Sequence, residues 1–358
     1  MKISCTNCGK KYPETGMPYQ CPKCGGLFDL AEALTFNPRR LTPSAPGIWR
    51  YASSFGLEAD SVSLGEGNTP LISAKAFGRE VFFKCEYSNP SGSFKDRGSA
   101  TLVAAMKARG VIEAVEDSSG NAGASFAAYA ARAGIKARVY VPESASGPKR
   151  LQIEMYGAEL VSVPGPRANA AQAVRKAAEA GAIYASHAYL PFNIPGYATC
   201  AYEIVEQLGR GPGAVIVPAG QGGLLLGMGR GFEAMLSAGV IEKMPMIVGV
   251  QASACQPLVA LWEHGTMDGV ADNQTLAEGV RGRSLRAKTV VEITRRSGGR
   301  FTSVDEAFIL SGRDALAHLG FYVEPTSALV WRALEKNILE LPDPVVAVLT
   351  GSGLKSFI

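Results

Sequence analysis

The sequence predicts an α/β protein with parallel, buried strands in open sheets, preceded by a small metal-held ribbon. Two observations carry that expectation. From residue 61 onward, short β-branched runs alternate with Ala-rich stretches of helical length, the pattern of α/β units whose strands are covered on both faces. Near the N-terminus stand two Cys-x-x-Cys pairs, Cys5/Cys8 and Cys21/Cys24. A chain of 358 residues, 47% hydrophobic and 19% charged, also has enough apolar side chain for two or three packed units.

The ribbon, residues 1–34, comes first. Each cysteine pair can clamp a metal from a tight knuckle, because Gly9 and Gly25-Gly26 let the backbone amides turn toward the thiolates. Four thiolates suit tetrahedral zinc, and no other ligand type lies nearby, so the site reads as structural and closed. The loop between the pairs, with Pro13, Gly16 and Pro18, is too short for a core of its own, so the metal replaces one. A metal-free ribbon or a redox dithiol is the competing reading, and two matched pairs speak against the redox role. Residues 35–60, with Pro38, Pro43, Pro46 and Gly47, read as a linker laid on the surface.

Strands follow at Val81–Cys85, Ala114–Asp117, Ala137–Val141, Glu159–Val163, Ala214–Val217, Ile247–Val250 and Val345–Leu349. Helices fall between the earlier of them, at Ser99–Arg109, Ala122–Ala133, Lys149–Gly157 and Ala168–Ala180. Gly is abundant, at 41 residues without a collagen-like period, so the glycines belong in turns and ligand loops.

A net charge of +4 spread along the chain gives no basic stripe for nucleic acid and no basic helix for a membrane surface. No apolar run reaches membrane length, and residues 1–10 hold no signal core. The expectation is a soluble, cytoplasmic protein. Of the seven cysteines, the three outside the pairs, Cys85, Cys200 and Cys255, read as buried thiols.

In alternating α/β folds, ligands gather where strands end and helices begin. Four Gly- and Ser-rich segments fall at such places. The first, Asn89-Pro90-Ser91-Gly92-Ser93-Phe94-Lys95-Asp96-Arg97-Gly98, puts a lysine at a helix start. The dipole there disfavours a cation, which favours the neutral amine that Schiff-base chemistry needs. A surface lysine beside Asp96 is the bland alternative. The second, Ser118-Ser119-Gly120-Asn121-Ala122-Gly123, offers amides and hydroxyls for a carboxylate, or simply a Ser N-cap with a Gly turn. The third, Gly220-Gln221-Gly222-Gly223-Leu224, follows a strand and suits a phosphate, but it is neither a Walker A nor a complete dinucleotide motif. The fourth, Thr350-Gly351-Ser352-Gly353-Leu354-Lys355, ends a strand in a hydroxyl residue and turns at glycines.

Taken in order, these segments resemble the threonine synthase-like branch of the fold type II pyridoxal-phosphate enzymes. The resemblance runs from Leu64 to Lys355, and a zinc ribbon also precedes some family members. Leu64-Gly65-Glu66-Gly67-Asn68-Thr69-Pro70-Leu71 looks like the family's opening motif. The resemblance makes Lys95 the Schiff-base and catalytic residue. It places Asn121 at the cofactor's ring oxygen, and Ser119, Gly120 and Asn121 at the substrate carboxylate. It makes Gly220, Gln221, Gly222, Gly223 and Leu224 the phosphate cradle. Thr350 matches the hydroxyl facing the pyridine nitrogen, with Ser352 as the second candidate. Such a partner leaves the ring a milder electron sink, suited to α-proton removal followed by elimination or replacement, with Lys95 as base.

The resemblance implies a cytoplasmic homodimer that turns O-phospho-L-homoserine and water into L-threonine and phosphate. Lys149 and Arg150 are candidates for the substrate's phosphate, as are Arg281 and Arg283, although each of them taken singly reads more simply as a solvated charge. The Gly220–Leu224 loop and Thr275–Val280 look closer to serine and threonine dehydratases. The alternative is therefore β-elimination or β-replacement on serine, threonine or a related small amino acid. A third reading is a catalytically silent ligand-binding protein with a ribbon contact module, against which the intact Lys95 argues. Glu324-Pro325-Thr326-Ser327-Ala328 resembles a family segment that packs near the cofactor. His264 and His318 read as solvated, and His187 as a residue that could approach the pocket. The expected domains are 1–34 (ribbon), 35–98 (linker and first part of a large domain), 99–185 (a small mobile α/β domain) and 186–358 (the rest of the large domain).

Overall fold

A computed structural model describes residues 1–145, 147–282 and 284–356. Two short strands, β1 (Ile3–Cys5) and β2 (Phe28–Leu30), open the chain, and β3 (Leu71–Ala76) and β4 (Arg79–Lys84) lead to α1 (Lys95–Ala108). Next come β5 (Glu113–Glu116), α2 (Asn121–Ala133), β6 (Lys136–Pro142), α3 (Pro148–Met155), β7 (Glu159–Val163) and α4 (Arg167–Glu179). The rest runs α5 (Ile194–Leu208), β8 (Ala214–Pro218), α6 (Gly223–Ser237), β9 (Met246–Ala252), α7 (Pro257–His264), α8 (Ala287–Arg296), β10 (Arg300–Val304), α9 (Ile309–His318), α10 (Pro325–Asn337) and β11 (Val345–Val348). Among the described residues no helix is long and apolar enough to cross a membrane.

The chain divides into two compact units. Unit 1 comprises Met1–Glu66 and Lys95–Gly196; unit 2 comprises Gly67–Phe94 and the chain from Tyr197 onward. Residues 35–66 thus group with the ribbon and with the helix that begins at Lys95. Close packing accounts for the later divisions: a Cβ at Gly196 would lie 1.9 Å from the Arg97 carbonyl oxygen, so the first turns of α1 and α5 meet.

Unit 1 is built on the parallel sheet β5-β6-β7, in register Val115↔Arg138 and Val139↔Leu160. Residues 183–185 run parallel beside β5, with Val115 N–H donating to Ile183 O and Ala185 N–H to Val115 O, both at 2.8 Å. β5 and this added strand therefore end at the same edge. The ribbon strands pair antiparallel, Ser4↔Asp29. Two ribbon tyrosines anchor to this unit. Tyr12 packs edge-on against Phe28 (4.6 Å) and Phe192 (5.2 Å), and Tyr19 against Tyr184 (5.3 Å) and Tyr189 (5.1 Å).

Most of residues 37–46 lie at the surface, as a linker would, but the stretch 47–55 does not. Gly47–Ser54 forms a 3-10 helix that buries Ile48, Trp49 and Tyr51. Trp49 Nε1 donates to Val62 O at 3.1 Å, and its ring meets Phe55 edge-on at 5.6 Å. The prolines mark turns, while the aromatic side chains between them take the segment out of water.

Unit 2 holds a six-stranded sheet in the order β10-β9-β8-β11-β4-β3. All its pairs are parallel except β3–β4, an antiparallel edge pair. The central strands β8 and β11 are buried at every residue, which is why they read as unbroken apolar runs. Ile216, Val248, Val250, Ala347 and Phe83 meet α9 and α10 residues such as Leu316, Leu329 and Leu334 in one core. The sequence reading missed β3 and β10, whose half-exposed edge positions alternate poorly.

Candidate active site

The lysine-bearing segment is shaped by side chains reaching the backbone. Asn89 Nδ2 donates to Glu86 O (2.8 Å) and to Glu86 Oε2 (3.1 Å), while Asn89 Oδ1 accepts from Gly67 N (2.9 Å). Thr69 Oγ1 donates to Glu86 Oε1 at 2.7 Å, tying the Leu64–Leu71 segment to the same anchor. Gly92 has φ +85°, and a Cβ there would lie 2.9 Å from Lys355 Cδ. The Lys355 ammonium itself donates to Ser91 O at 2.7 Å. Phe94 N donates to Thr350 O at 3.0 Å. Lys95 follows as the first residue of α1, half-buried, with Asp96 and Arg97 buried behind it.

Thr350 is buried, and its Oγ1 lies 3.1 Å from Ser327 Oγ. The Ser327 hydroxyl also accepts from Gly351 N at 3.0 Å, which fixes the turn after β11 to the first turn of α10. One residue earlier, Thr326 Oγ1 accepts from Gly279 N at 3.0 Å. Gly279 in turn lines the Gly-rich loop, since a Cβ at Gly220 would lie 2.8 Å from Gly279 O. Glu324 is buried against Gly351, where a Cβ would lie 2.3 Å from its carboxylate oxygen. The first turn of α10 thus holds both the 220–224 loop and Thr350. The sequence reading connected Glu324–Ala328 with the cofactor but did not single out Thr326 or Ser327.

The Gly220–Leu224 loop passes from β8 into α6. Gly222 takes φ +79° as the N-cap, and no side chain caps the helix. A Cβ at Gly222 would lie 2.8 Å from the Val290 methyls. Glycine is therefore forced from behind, and the uncapped first-turn amides keep their capacity for an anion.

In unit 1, the second loop leaves β5 after Glu116. Ser118 Oγ accepts from Gly120 N at 3.2 Å, and Asn121 begins α2. A Cβ at Gly123 would lie 1.8 Å from Ser118 O, so only glycine closes this turn. Ser119, Gly120 and Asn121 are half-buried. Glu116 is almost fully buried; its Oε1 lies 2.6 Å from His187 Nδ1, and its Oε2 accepts from Ser118 N. Burial pushes the Glu116 carboxyl up, but His187 and the Ser118 N–H bring it below the ordinary carboxylate range. Burial and the neighbouring Glu116 push Asp117 up, and the Tyr184 hydroxyl donates to it at 2.7 Å. The residue pair Glu116-Asp117 was a legible signal, because two acids at the end of an apolar strand need partners.

The candidate cations differ in their surroundings. Lys149 lies half-buried in the first turn of α3, which packs on α2. Arg150 is engaged by Ala145 O (3.0 Å) and Glu154 (3.6 Å), and Arg281 by Asp272 (3.0 Å). Arg283 lies outside the described residues. His264 and His318 are exposed.

The groups at hand fit the cofactor that the sequence implies. Ser93 Oγ is buried without a hydrogen-bond partner among the described residues, two positions before Lys95. The uncapped amides of α6 suit a phosphate. In the ribbon, the four cysteine Sγ atoms lie within 4.8 Å of one another, with Cys5···Cys24 at 3.5 Å and Cys8···Cys21 at 3.7 Å. Tetrahedral zinc with Zn–S bonds of about 2.3 Å needs sulfurs about 3.8 Å apart. Gly9 N donates to Cys5 O at 3.0 Å and Gly25 N to Cys21 O at 2.8 Å, forming the two knuckles.

The sequence matches the family described as pyridoxal-phosphate dependent enzyme over residues 62–351. A threonine synthase of Methanocaldococcus jannaschii is 34% identical over 98% of this chain and 92% of that protein. A threonine synthase of Bacillus sp. (strain ULM1) is 36% identical over 86% of this chain and 89% of its own. A solved T.th. threonine deaminase matches with a TM-score of 0.69 at 28% identity, covering 81% of this chain and 94% of that one. Maize serine racemase shares the fold, with a TM-score of 0.70 at 23% identity over 80% of this chain and 88% of its own. The chain therefore belongs to the pyridoxal-phosphate dependent enzymes of fold type II, as a threonine synthase-like lyase.

Proposed function

We propose that the protein converts O-phospho-L-homoserine and water into L-threonine and inorganic phosphate. The observation that carries this reading is the likeness to threonine synthases along the whole chain, ribbon included, at 34% identity over 98% of its residues in one relative. Pyridoxal phosphate supplies an electron sink for the substrate's α-carbon when bound. The Lys95 Nζ holds the cofactor and then moves the proton at that carbon. The amides of Gly220, Gln221, Gly222, Gly223 and Leu224 hold the cofactor phosphate, and Asn121 donates to the ring oxygen. The Thr350 hydroxyl, oriented by Ser327, faces the ring nitrogen without forcing a proton onto it. Ser119, Gly120 and Asn121 hold the substrate carboxylate, and Lys149 serves its phosphate. Cys5, Cys8, Cys21 and Cys24 hold one structural zinc. The same likeness supports a cytoplasmic homodimer.

The test is to load the purified protein with pyridoxal phosphate, supply O-phospho-L-homoserine, and assay free phosphate and L-threonine together. Equal yields of both are expected. No phosphate release from a fully loaded protein would sink the reading.

A further inference from the structure

β5 and the strand at 183–185 run parallel and end at one edge of the unit 1 sheet. Ligands of parallel α/β sheets collect at that kind of edge. β5 continues into Glu116, Asp117 and the Ser118–Gly123 loop; its neighbour continues into Ser186 and His187. One buried carboxylate ties the two together, because Glu116 takes His187 Nδ1 at 2.6 Å with one oxygen and Ser118 N with the other. The His187 side chain keeps 17% of its surface exposed, whereas that of Glu116 keeps 1%. The ring is therefore held at Nδ1 by a buried carboxylate, while the side chain is not itself fully enclosed.

The residues facing this pair are Asp117, bonded to the Tyr184 hydroxyl, and Arg167, whose charge acts on both acids. A buried carboxylate against Nδ1 is how proteins fix an imidazole so that Nε2 meets a ligand. A lone histidine at a strand end would carry no such orientation. The Ser118–Gly123 turn, locked by the close approach of Gly123 to Ser118 O, gives the loop and the ring one frame.

We propose that His187 is a substrate-contacting, specificity-determining residue whose Nε2 meets an anionic oxygen at the far end of the amino acid's side chain, with Glu116 as its positioning residue. The inference rests on the reading that Ser119–Asn121 hold the substrate carboxylate. Under the threonine synthase reaction, the anionic oxygen belongs to the substrate's phosphate. No bond is made or broken by His187 in this role. It supplies one charge-assisted hydrogen bond when protonated.

The test uses the pyridoxal-phosphate-loaded protein and two probes, inorganic phosphate and L-threonine, with binding followed by calorimetry. L-Threonine has a carboxylate but no distal anion. In His187→Gln, phosphate binding is expected to weaken roughly tenfold or more, while L-threonine binding changes by less than about twofold. Glu116→Gln keeps the shape but loses the orienting charge, and is expected to weaken phosphate binding by a smaller factor. For O-phospho-L-homoserine the same variants are expected to lower kcat/KM, His187→Gln more than Glu116→Gln. Equal weakening of both probes would assign His187 to the carboxylate or to loop structure and overturn the proposal. Unchanged phosphate binding in His187→Gln, or no phosphate binding by the parent protein, would overturn it as well. A parent protein that binds phosphate through His187 yet releases none from O-phospho-L-homoserine would instead count against the proposed reaction alone.

Discussion

Lys84→Met removes one side chain on which the Asn68–Thr69 segment of unit 2 depends. The Lys84 ammonium is fully buried and donates to Thr69 O (2.8 Å), Glu203 Oε2 (2.8 Å) and Gln207 Oε1 (2.9 Å). Glu203 keeps only 3% of its side-chain surface exposed and also accepts from Asn68 N at 2.7 Å. Asn68 is one of two non-glycine residues with positive φ among those described, at +50°. Methionine fills much of the same volume but leaves the Glu203 charge buried without the Lys84 ammonium. Breaking a buried pair in this way costs about 3–5 kcal/mol. With an unfolding entropy of about 2.1 cal/mol/K per residue, that lowers the melting midpoint of a 358-residue chain by about 4–7 °C. A second variant separates charge from packing. Lys84→Met combined with Glu203→Gln removes the buried charge and keeps an acceptor for Asn68, so about half of the loss returns. The assay is thermal unfolding of the cofactor-loaded protein, followed by circular dichroism at pH 7.5. A shift under about 1 °C for the single variant, or a double variant no better than the single, would refute the claim that this pair holds the segment.

The remaining predictions concern the loop, a buried acid and the ribbon. Gly123→Ala puts a Cβ 1.8 Å from Ser118 O, so the Ser118–Asn121 turn must open and L-threonine binding should weaken roughly tenfold; calorimetry showing parent-like affinity would contradict this. Glu66 is fully buried, and burial raises its carboxyl above the usual range despite the Tyr129 hydroxyl donating at 2.8 Å. A raised folded-state pKa in an acid means the folded chain binds the extra proton, so Glu66 costs stability once pH rises above its unfolded value of about 4.3. Glu66→Gln should therefore raise the melting midpoint relative to the parent at pH 8, with the gap closing as pH falls toward 4; a gap independent of pH would rule this out. Cys8→Ser should abolish the bound zinc measured by metal analysis and lower the melting midpoint, whereas a parent protein purified without zinc would remove the basis for a metal-held ribbon.

What the sequence alone determined was local. The ribbon's cysteines and glycines had to sit within a few residues of each other, because a knuckle closes on one turn of backbone. Fully buried parallel strands had to be apolar throughout, so β8 and β11 announced themselves without any partner being known. The Lys95 segment, the Ser118–Gly123 loop and Gly220–Leu224 showed as motifs because close backbone turns tolerate few residue types. Tertiary structure decided the rest, for a reason of distance along the chain. Glu116 and His187 stand 71 positions apart, and Lys84 and Glu203 are separated by 119. Whether a buried charge has found its partner depends on which strands become neighbours, and no local pattern encodes that order. The aromatic packing of residues 47–55 was hidden for the same reason: prolines spoke for a surface path, while the rings that buried it met their partners only in the folded chain.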